Sequence, residues 1–155
     1  MEVPMRAAAI DLGRVRVGLA VSDELGAIAH TRACLDGRDT GRLVASLSRI
    51  ATDEGIDLFI VGLPRTLRGG EGPAARQARA FAHRLSLNTG IRVELVDERW
   101  TTKEAYTRLA EQGLDRRKAR SRVDSAAAAI VLQAWLDRAR RHDQGDRDDD
   151  APLDP

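Results

Sequence analysis

Arg6-Ala-Ala-Ala-Ile-Asp-Leu-Gly13, followed at once by Val15-Arg-Val-Gly-Leu-Ala-Val-Ser22, decides how the chain begins. Apolar positions dominate residues 6–35, glycines punctuate at Gly13 and Gly26, and no helical stripe appears. The stretch therefore predicts three consecutive strands joined by short turns, a β-meander. Its second run alternates and then becomes continuously apolar, as a strand does when it passes into a covered sheet. One residue stands out against this background: Asp11, a carboxylate at the end of an apolar run with no basic partner evident.

From Asp39 the period changes. Leu43, Val44, Leu47, Ile50 and Ala51 form one face of a helix capped by Asp39 or Thr40 and stopped at Gly55. Residues 57–62 read as a short buried strand, and Pro73 opens a second helix that turns Ala74, Ala78, Phe81, Ala82 and Leu85 inward. Residues 91–96 form another buried strand. Thr101-Thr-Lys-Glu104 has capping-box spacing and starts a third helix that ends by Gly113. A final helix opens at Asp124, with Val123, Ala127, Ile130, Val131, Ala134 and Trp135 at helical spacing, and frays over residues 138–143. The order βββ-α-β-α-β-α-α predicts an α/β fold: a five-stranded mixed sheet, an antiparallel meander plus parallel strands, flanked by helices.

The 155 residues suit one domain, placed at residues 1–142. Residues 143–155 carry six acids and one arginine, an acidic tail too polar to order itself, which leaves the body with a net charge of +6. A basic body suits a phosphate-binding protein, although arginine-rich codon usage explains the composition equally well. The single cysteine, Cys34, excludes an internal disulfide and a multi-cysteine zinc cluster, fits a cytoplasmic protein, and reads as a buried, inert thiol. No basic segment precedes an unbroken apolar run, so neither a signal peptide nor a membrane span is expected. His30, His83 and His142 lack metal-ligand spacing, and no histidine lies near Ser22 or Ser125 to form a nucleophilic triad.

Three acids carry the chemistry. Asp11 falls on the first strand, Glu98 just beyond the last, and Asp124 near the start of the last helix. If that helix crosses the carboxyl ends of the parallel strands, the three converge. Phosphodiester hydrolysis must stabilise charge on the attacking and leaving oxygens, which two divalent ions about 3.5–4 Å apart do well. Hard oxygen ligands of this kind suit Mg2+ or Mn2+. Each acid also has an ordinary structural role open to it: Asp11 as a turn opener, Glu98 as a partner of Arg99, Asp124 as a helix cap. Asp97 could exchange roles with Glu98, because strand alternation points the two in opposite directions.

Basic residues surround these acids. The loop 64–73 holds Gly69, Gly70 and Gly72 ahead of a helix, with Arg65 and Arg68 beside it, a setting that accepts phosphate or serves merely as a connector. Arg116, Arg117, Lys118, Arg120 and Arg122 crowd the segment before Asp124 and are expected to touch the phosphate backbone, although such runs are often only solvated faces. Aromatic residues do not interleave with them, which argues against a base-stacking platform. Trp100 is the exception, placed either to stack on a base or to be buried beneath the third helix.

Four motifs in order carry a resemblance. Ile10-Asp-Leu-Gly13 with Arg16-Val-Gly18 and Ala20-Val-Ser-Asp23, Val61-Gly-Leu-Pro64 with Gly69-Gly-Glu-Gly72, Asp97-Glu-Arg-Trp-Thr-Thr102, and Val123-Asp-Ser-Ala-Ala127 together resemble the YqgF/RuvX family. Its members are bacterial RNase H-like proteins described as pre-16S ribosomal RNA nucleases or Holliday-junction-resolvase homologues. The resemblance implies an RNase H-like fold, a metal-dependent endonuclease processing the 5′ end of pre-16S rRNA, and Asp11, Glu98 and Asp124 as the metal-binding set. It also implies that Arg16, Arg99, Thr101 and Thr102 share the same surface. Where the family has a polar or acidic residue near position 68, this chain has Arg68-Gly69-Gly70. Branched DNA is the alternative substrate, and a non-catalytic RNA- or ribosome-binding module is a second alternative. Asp11-Leu-Gly13 also resembles the first phosphate loop of actin-like ATPases and sugar kinases, but those need two related domains and this chain has room for one. A monomer and a homodimer are both compatible with the sequence.

Overall fold

Three strands form where the opening stretch predicts them. In the computed structural model, which describes residues 5–100 and 125–149 together with Lys103, Thr107 and Ala110, β1 spans Ala7–Asp11, β2 Arg16–Ser22 and β3 Ala29–Asp36. β1 pairs antiparallel with β2, setting Ile10 opposite Leu19 and Asp11 opposite Gly18, and β2 pairs antiparallel with β3. Helix α1 (Thr40–Glu54) follows, its N-terminus capped by the Asp39 carboxylate, which accepts the Arg42 amide at 3.1 Å. Gly55 ends it at φ 69°, a left-handed conformation in which a side chain would be strained.

Strand β4 (Leu58–Leu63), helix α2 (Pro73–Thr89) and strand β5 (Arg92–Asp97) complete the sheet. β4 lies parallel to β1 on one side and to β5 on the other, giving the order β3-β2-β1-β4-β5. This is the five-stranded mixed sheet expected from the element order. α1 and α2 cover one face, packing Leu43, Val44, Leu47, Phe81 and Leu85 against Ile10, Leu19, Phe59 and Val61. Helix α3 (Ala126–Asp149) covers the other, where Ala128, Ala129 and Leu132 meet Ala7, Ala9, Ala20 and Ile60. Alanine facing alanine lets this helix lie close to the strands.

Several details differ from the sequence reading. α2 buries Ala75 and exposes Ala74. On α3 the buried apolar positions are Ala128, Ala129, Val131, Leu132, Ala134 and Leu136, whereas Ala127 is exposed and Ile130 and Trp135 are only partly buried. Four successive alanines carry no directional signal, so tertiary contacts choose the face. α3 also runs on to Asp149, through the expected fraying point and into the segment read as an unordered tail. No proline interrupts it before Pro152, and each added helical residue gains a backbone hydrogen bond. Cys34 on β3 is partly exposed rather than buried. The third helix expected over residues 101–112 lies largely outside the described residues.

Two buried polar side chains fix α3 on the sheet. Gln133 is fully buried; its Oε1 accepts the Ala29 amide at 3.0 Å and its Nε2 donates to the Ala27 carbonyl at 3.0 Å and to Asp137 Oδ1 at 3.1 Å. Ser125, also buried, accepts the Leu19 amide at 3.0 Å and donates to the Arg32 carbonyl at 2.7 Å. Removing Gln133 strands the buried Ala29 amide and the partly buried Ala27 carbonyl, each worth about 1–3 kcal/mol. Gln133→Ala is therefore expected to destabilise the protein by roughly 3 kcal/mol, read as a lower midpoint in urea unfolding with little change in slope. A midpoint like that of the wild type would show that these bonds are not holding the helix.

Candidate active site

The parallel pairing aligns the carboxyl ends of β1, β4 and β5. Asp11 ends β1, and Glu98 opens the 3-10 turn Glu98–Trp100 directly after β5. β4 runs between them, two strand spacings or about 9.6 Å of backbone to cross. The residue of β4 at this level is Gly62, since Ile10 pairs with Val61 and Gly62 with Val96. A Cβ placed on Gly62 would stand 2.8 Å from Glu98 Oε1 and 3.2 Å from its Cγ. The bare glycine thus leaves the channel through which Glu98 reaches Asp11.

The Asp11 and Glu98 carboxyl groups lie within hydrogen-bonding reach of each other. Burial, and then the Asp11 charge, push the Glu98 carboxyl up to about 7. Burial likewise raises Asp11, partly offset by its hydrogen bond with Glu98. Two half-buried carboxyls in contact cannot both ionise without a cation between or beside them.

Asp97 behaves in the opposite way. The pleat turns it to the other side, where Arg99 Nη2 holds it at 2.8 Å and Arg65 Nε at 3.6 Å. The Arg99 side-chain hydrogen bond is the main cause that lowers its carboxyl to about 2. Asp97 is thereby committed to arginine and does not take the place of Glu98, and Arg99 pairs with Asp97 rather than with Glu98. Arg65 Nη1 also donates to the Gly69 carbonyl at 3.3 Å, which ties the glycine loop to this cluster. Within that loop Thr66 Oγ1 accepts the Gly70 amide at 3.0 Å, and Gly69 adopts φ 83°.

The structure therefore brings Asp11 and Glu98 together and gathers Arg65 and Arg99 on Asp97. Arg16 is exposed at the start of β2, and Arg68 is exposed in the glycine loop. Asp124, Thr101, Thr102, Arg116, Arg117, Lys118, Arg120 and Arg122 lie outside the described residues. Sequence reading missed Gly62 as a determinant of the site. Its signal was a glycine inside an otherwise continuous apolar strand, a position that often marks close approach by another group.

With this geometry, comparison with known proteins becomes decisive. The sequence profile of RuvX, described as a Holliday junction resolvase, matches residues 5–138. The chain belongs to the RuvX family. A relative from Anaeromyxobacter dehalogenans (strain 2CP-1 / ATCC BAA-258), named "Putative pre-16S rRNA nuclease", is 46% identical over 134 residues, covering 86% of this chain and 98% of its own. One of the same name from Myxococcus xanthus (strain DK1622) is 36% identical over 151 residues, 97% of this chain and 100% of the relative. T. thermophilus RuvC in complex with Holliday junction substrate shares the fold with a TM-score of 0.66 at 16% identity, covering 90% of this chain and 97% of that one. The fowlpox virus Holliday junction resolvase gives 0.52 at 13% identity, covering 86% and 99%. The fold of this RuvX-family chain is RNase H-like, and its enzyme class is nuclease, a hydrolase of phosphodiester bonds.

Two outcomes follow for the RuvX-family site. Gly62→Ala is expected to cost about 1–3 kcal/mol by overpacking, and the cost should largely vanish when Glu98→Ala is combined with it. Additive costs in that double-mutant cycle would place the crowding elsewhere. The second concerns pH. Because the folded Glu98 carboxyl is raised from 4.5 to about 7, its contribution to stability is fully present below about pH 4.5 and is lost as pH rises through about 7. Chelator-treated protein should thus lose melting temperature across that window, and Glu98→Gln should flatten the decline.

Proposed function

We propose that this chain is a divalent-metal-dependent endonuclease that hydrolyses phosphodiester bonds in precursor 16S ribosomal RNA in the cytoplasm. The observation that carries the reading is the Asp11–Glu98 pair, two carboxyls held in contact at the carboxyl edge of the sheet with their charged forms disfavoured. Such a pair fits a hard divalent cation, because the cation relieves the repulsion and desolvation that raise both groups. Asp11, Glu98 and Asp124 would hold two Mg2+ or Mn2+ ions. When bound, these ions would supply charge stabilisation for the attacking and leaving oxygens and lower the pKa of a bound water.

The chain's own residues do the rest. Asp11, at the end of β1 and beside Glu98, would help hold the ions through its carboxylate oxygens. Glu98, raised by burial and by the Asp11 charge, would hold a cation in its deprotonated form. Ser125 supports the placement of Asp124: it is anchored to Leu19, whose cross-strand partner Ile10 adjoins Asp11, and Asp124 is its neighbour in sequence. On the other side, Arg65 and Arg99 form with Asp97 a cluster of net positive charge that orients a substrate phosphate near the cut. Arg16, Arg68, Thr101, Thr102 and the run Arg116, Arg117, Lys118, Arg120 and Arg122 extend this phosphate-binding surface.

Precursor ribosomal RNA is preferred because the relatives from Anaeromyxobacter and Myxococcus bear that name at 46% and 36% identity over nearly their full lengths. Branched DNA is the second reading, favoured by the description of the family profile. It requires two symmetric cuts and hence a homodimer, whereas RNA processing works from a monomer. Both substrates should be offered side by side with each metal. Asp11→Asn is expected to keep the fold and reduce cleavage on the order of 10³-fold, as the loss of several kcal/mol of charge stabilisation implies. Undiminished metal-dependent cleavage in that variant would sink the assignment of the acids, and preferential cutting of the four-way junction would favour the DNA reading.

A further inference from the structure

A second feature lies at the same end of the sheet but on the α1–α2 face. A groove of about 590 Å³ opens between the β1–β2 turn, the start of α1 and the flank of α2. Its floor is apolar, made by Leu12, Leu43 and Phe81, which belong to or pack on the core of that face. Its rim carries Arg14 and Arg84, both exposed, with Gln77 between them on the α2 side. Among the described residues no carboxylate lines it. The acids closest in sequence to its α1 wall are already engaged, Asp36 with Arg38 at 2.8 Å and Asp39 with Arg42 at 3.9 Å. Arg14 and Arg84 form no ion pair among the described residues.

The wall between the arginines is bare backbone by necessity. A Cβ on Gly13 would stand 2.3 Å from the Arg16 carbonyl oxygen, and one on Gly37 would stand 2.8 Å from Val17 Cγ2 and 3.0 Å from the Gly13 carbonyl oxygen. The two turns are therefore packed together with no side chains between them. In the first turn of α1, a Cβ on Gly41 would lie 3.3 Å from Arg84 Nη2 and 3.4 Å from Asp39 Oδ1. The guanidinium thus lies over the first turn of α1 and bounds the groove opposite Arg14.

We propose that this groove is a binding track for the phosphodiester backbone of the substrate strand, read through charge and not through base sequence. Two guanidinium groups without an ion pair among the described residues, set over an apolar floor, match a nucleotide unit, with phosphate on the rim and sugar or base edge below. The track begins three residues past Asp11, about 10 Å of extended chain. At about 3.4 Å per nucleotide, the strand enters it within roughly three nucleotides of the bond at the acidic pair. The proposal rests on the nuclease reading for its substrate but uses none of the residues assigned to cleavage.

The test measures binding apart from cleavage. Full-length protein, wild type and Arg14→Ala/Arg84→Ala, is titrated with a fluorescent RNA hairpin and with a hairpin of unrelated sequence over a range of salt concentrations. The double variant should melt like the wild type, bind both RNAs about tenfold or more weakly at low salt, and lower the slope of log affinity against log salt by about 1.4–1.8, two contacts at 0.7–0.9 each. Arg14→Lys/Arg84→Lys should restore the slope. Turnover of a small phosphodiester, bis-p-nitrophenyl phosphate, should be unchanged, because that substrate does not reach the groove. Wild-type affinity and slope in the double alanine variant would overturn the proposal. RNA binding that depends on these arginines, in a wild type that cuts nothing, would overturn the nuclease reading and leave the track standing. No RNA binding by the wild type would overturn both.

Discussion

Asp11 ends β1 and Glu98 directly follows β5, two strands that do not touch because β4 separates them. Parallel pairing on both sides of β4 fixes the level at which the two acids arrive, and Gly62 removes the side chain that would otherwise stand between them. The carboxyl–carboxyl contact exists only because of this omission. A larger residue in the middle strand would leave the fold possible and the pair impossible. The sheet therefore supplies alignment and the glycine supplies access, and neither is sufficient alone.

Strand geometry also explains why neighbouring acids differ so sharply. Asp97 and Glu98 are consecutive, yet one carboxyl lies at about 2 and the other at about 7. Asp97 turns towards Arg99 and Arg65, while Glu98 turns towards Asp11, with no base among the described residues to hold it ionised. Two adjoining environments result, one neutralised by arginine and one awaiting neutralisation. A phosphodiester needs both kinds: positive charge to hold its phosphate and metal-binding oxygens close to the scissile bond.

Most of the fold was readable because its signals were local. The caps Asp39 and Gly55, the break at Pro73 and the apolar runs of β1, β4 and β5 each state their own structure. The faces of α2 and α3 were less readable, since alanine fits inside or outside and the choice between Ala74 and Ala75 depends on what the sheet offers. At the site, Asp11 and Glu98 were recognisable as acids in places where apolar residues belong. Their contact was not, because it depends on the register of a third strand. Gly62 was visible only as an interruption, and the commitment of Arg65 and Arg99 to Asp97 could not be read without knowing which way each side chain turns.

Half of the buried side chains where helix α3 meets the sheet are alanines, and a surface of that kind offers few features along the helix axis. Shape alone would hold it poorly against sliding, since one alanine can take the place of another a turn away, about 5.4 Å along the axis. Ser125 and Gln133 act as indexing pins at two points along that axis, each bonded to backbone atoms of the meander that no displaced position would offer. The chain therefore enters α3 at a fixed point above β2, beside the strand that carries Asp11. A hydrophobic layer half of alanine thus gains positional accuracy from two buried polar side chains, and the site at the sheet edge inherits it.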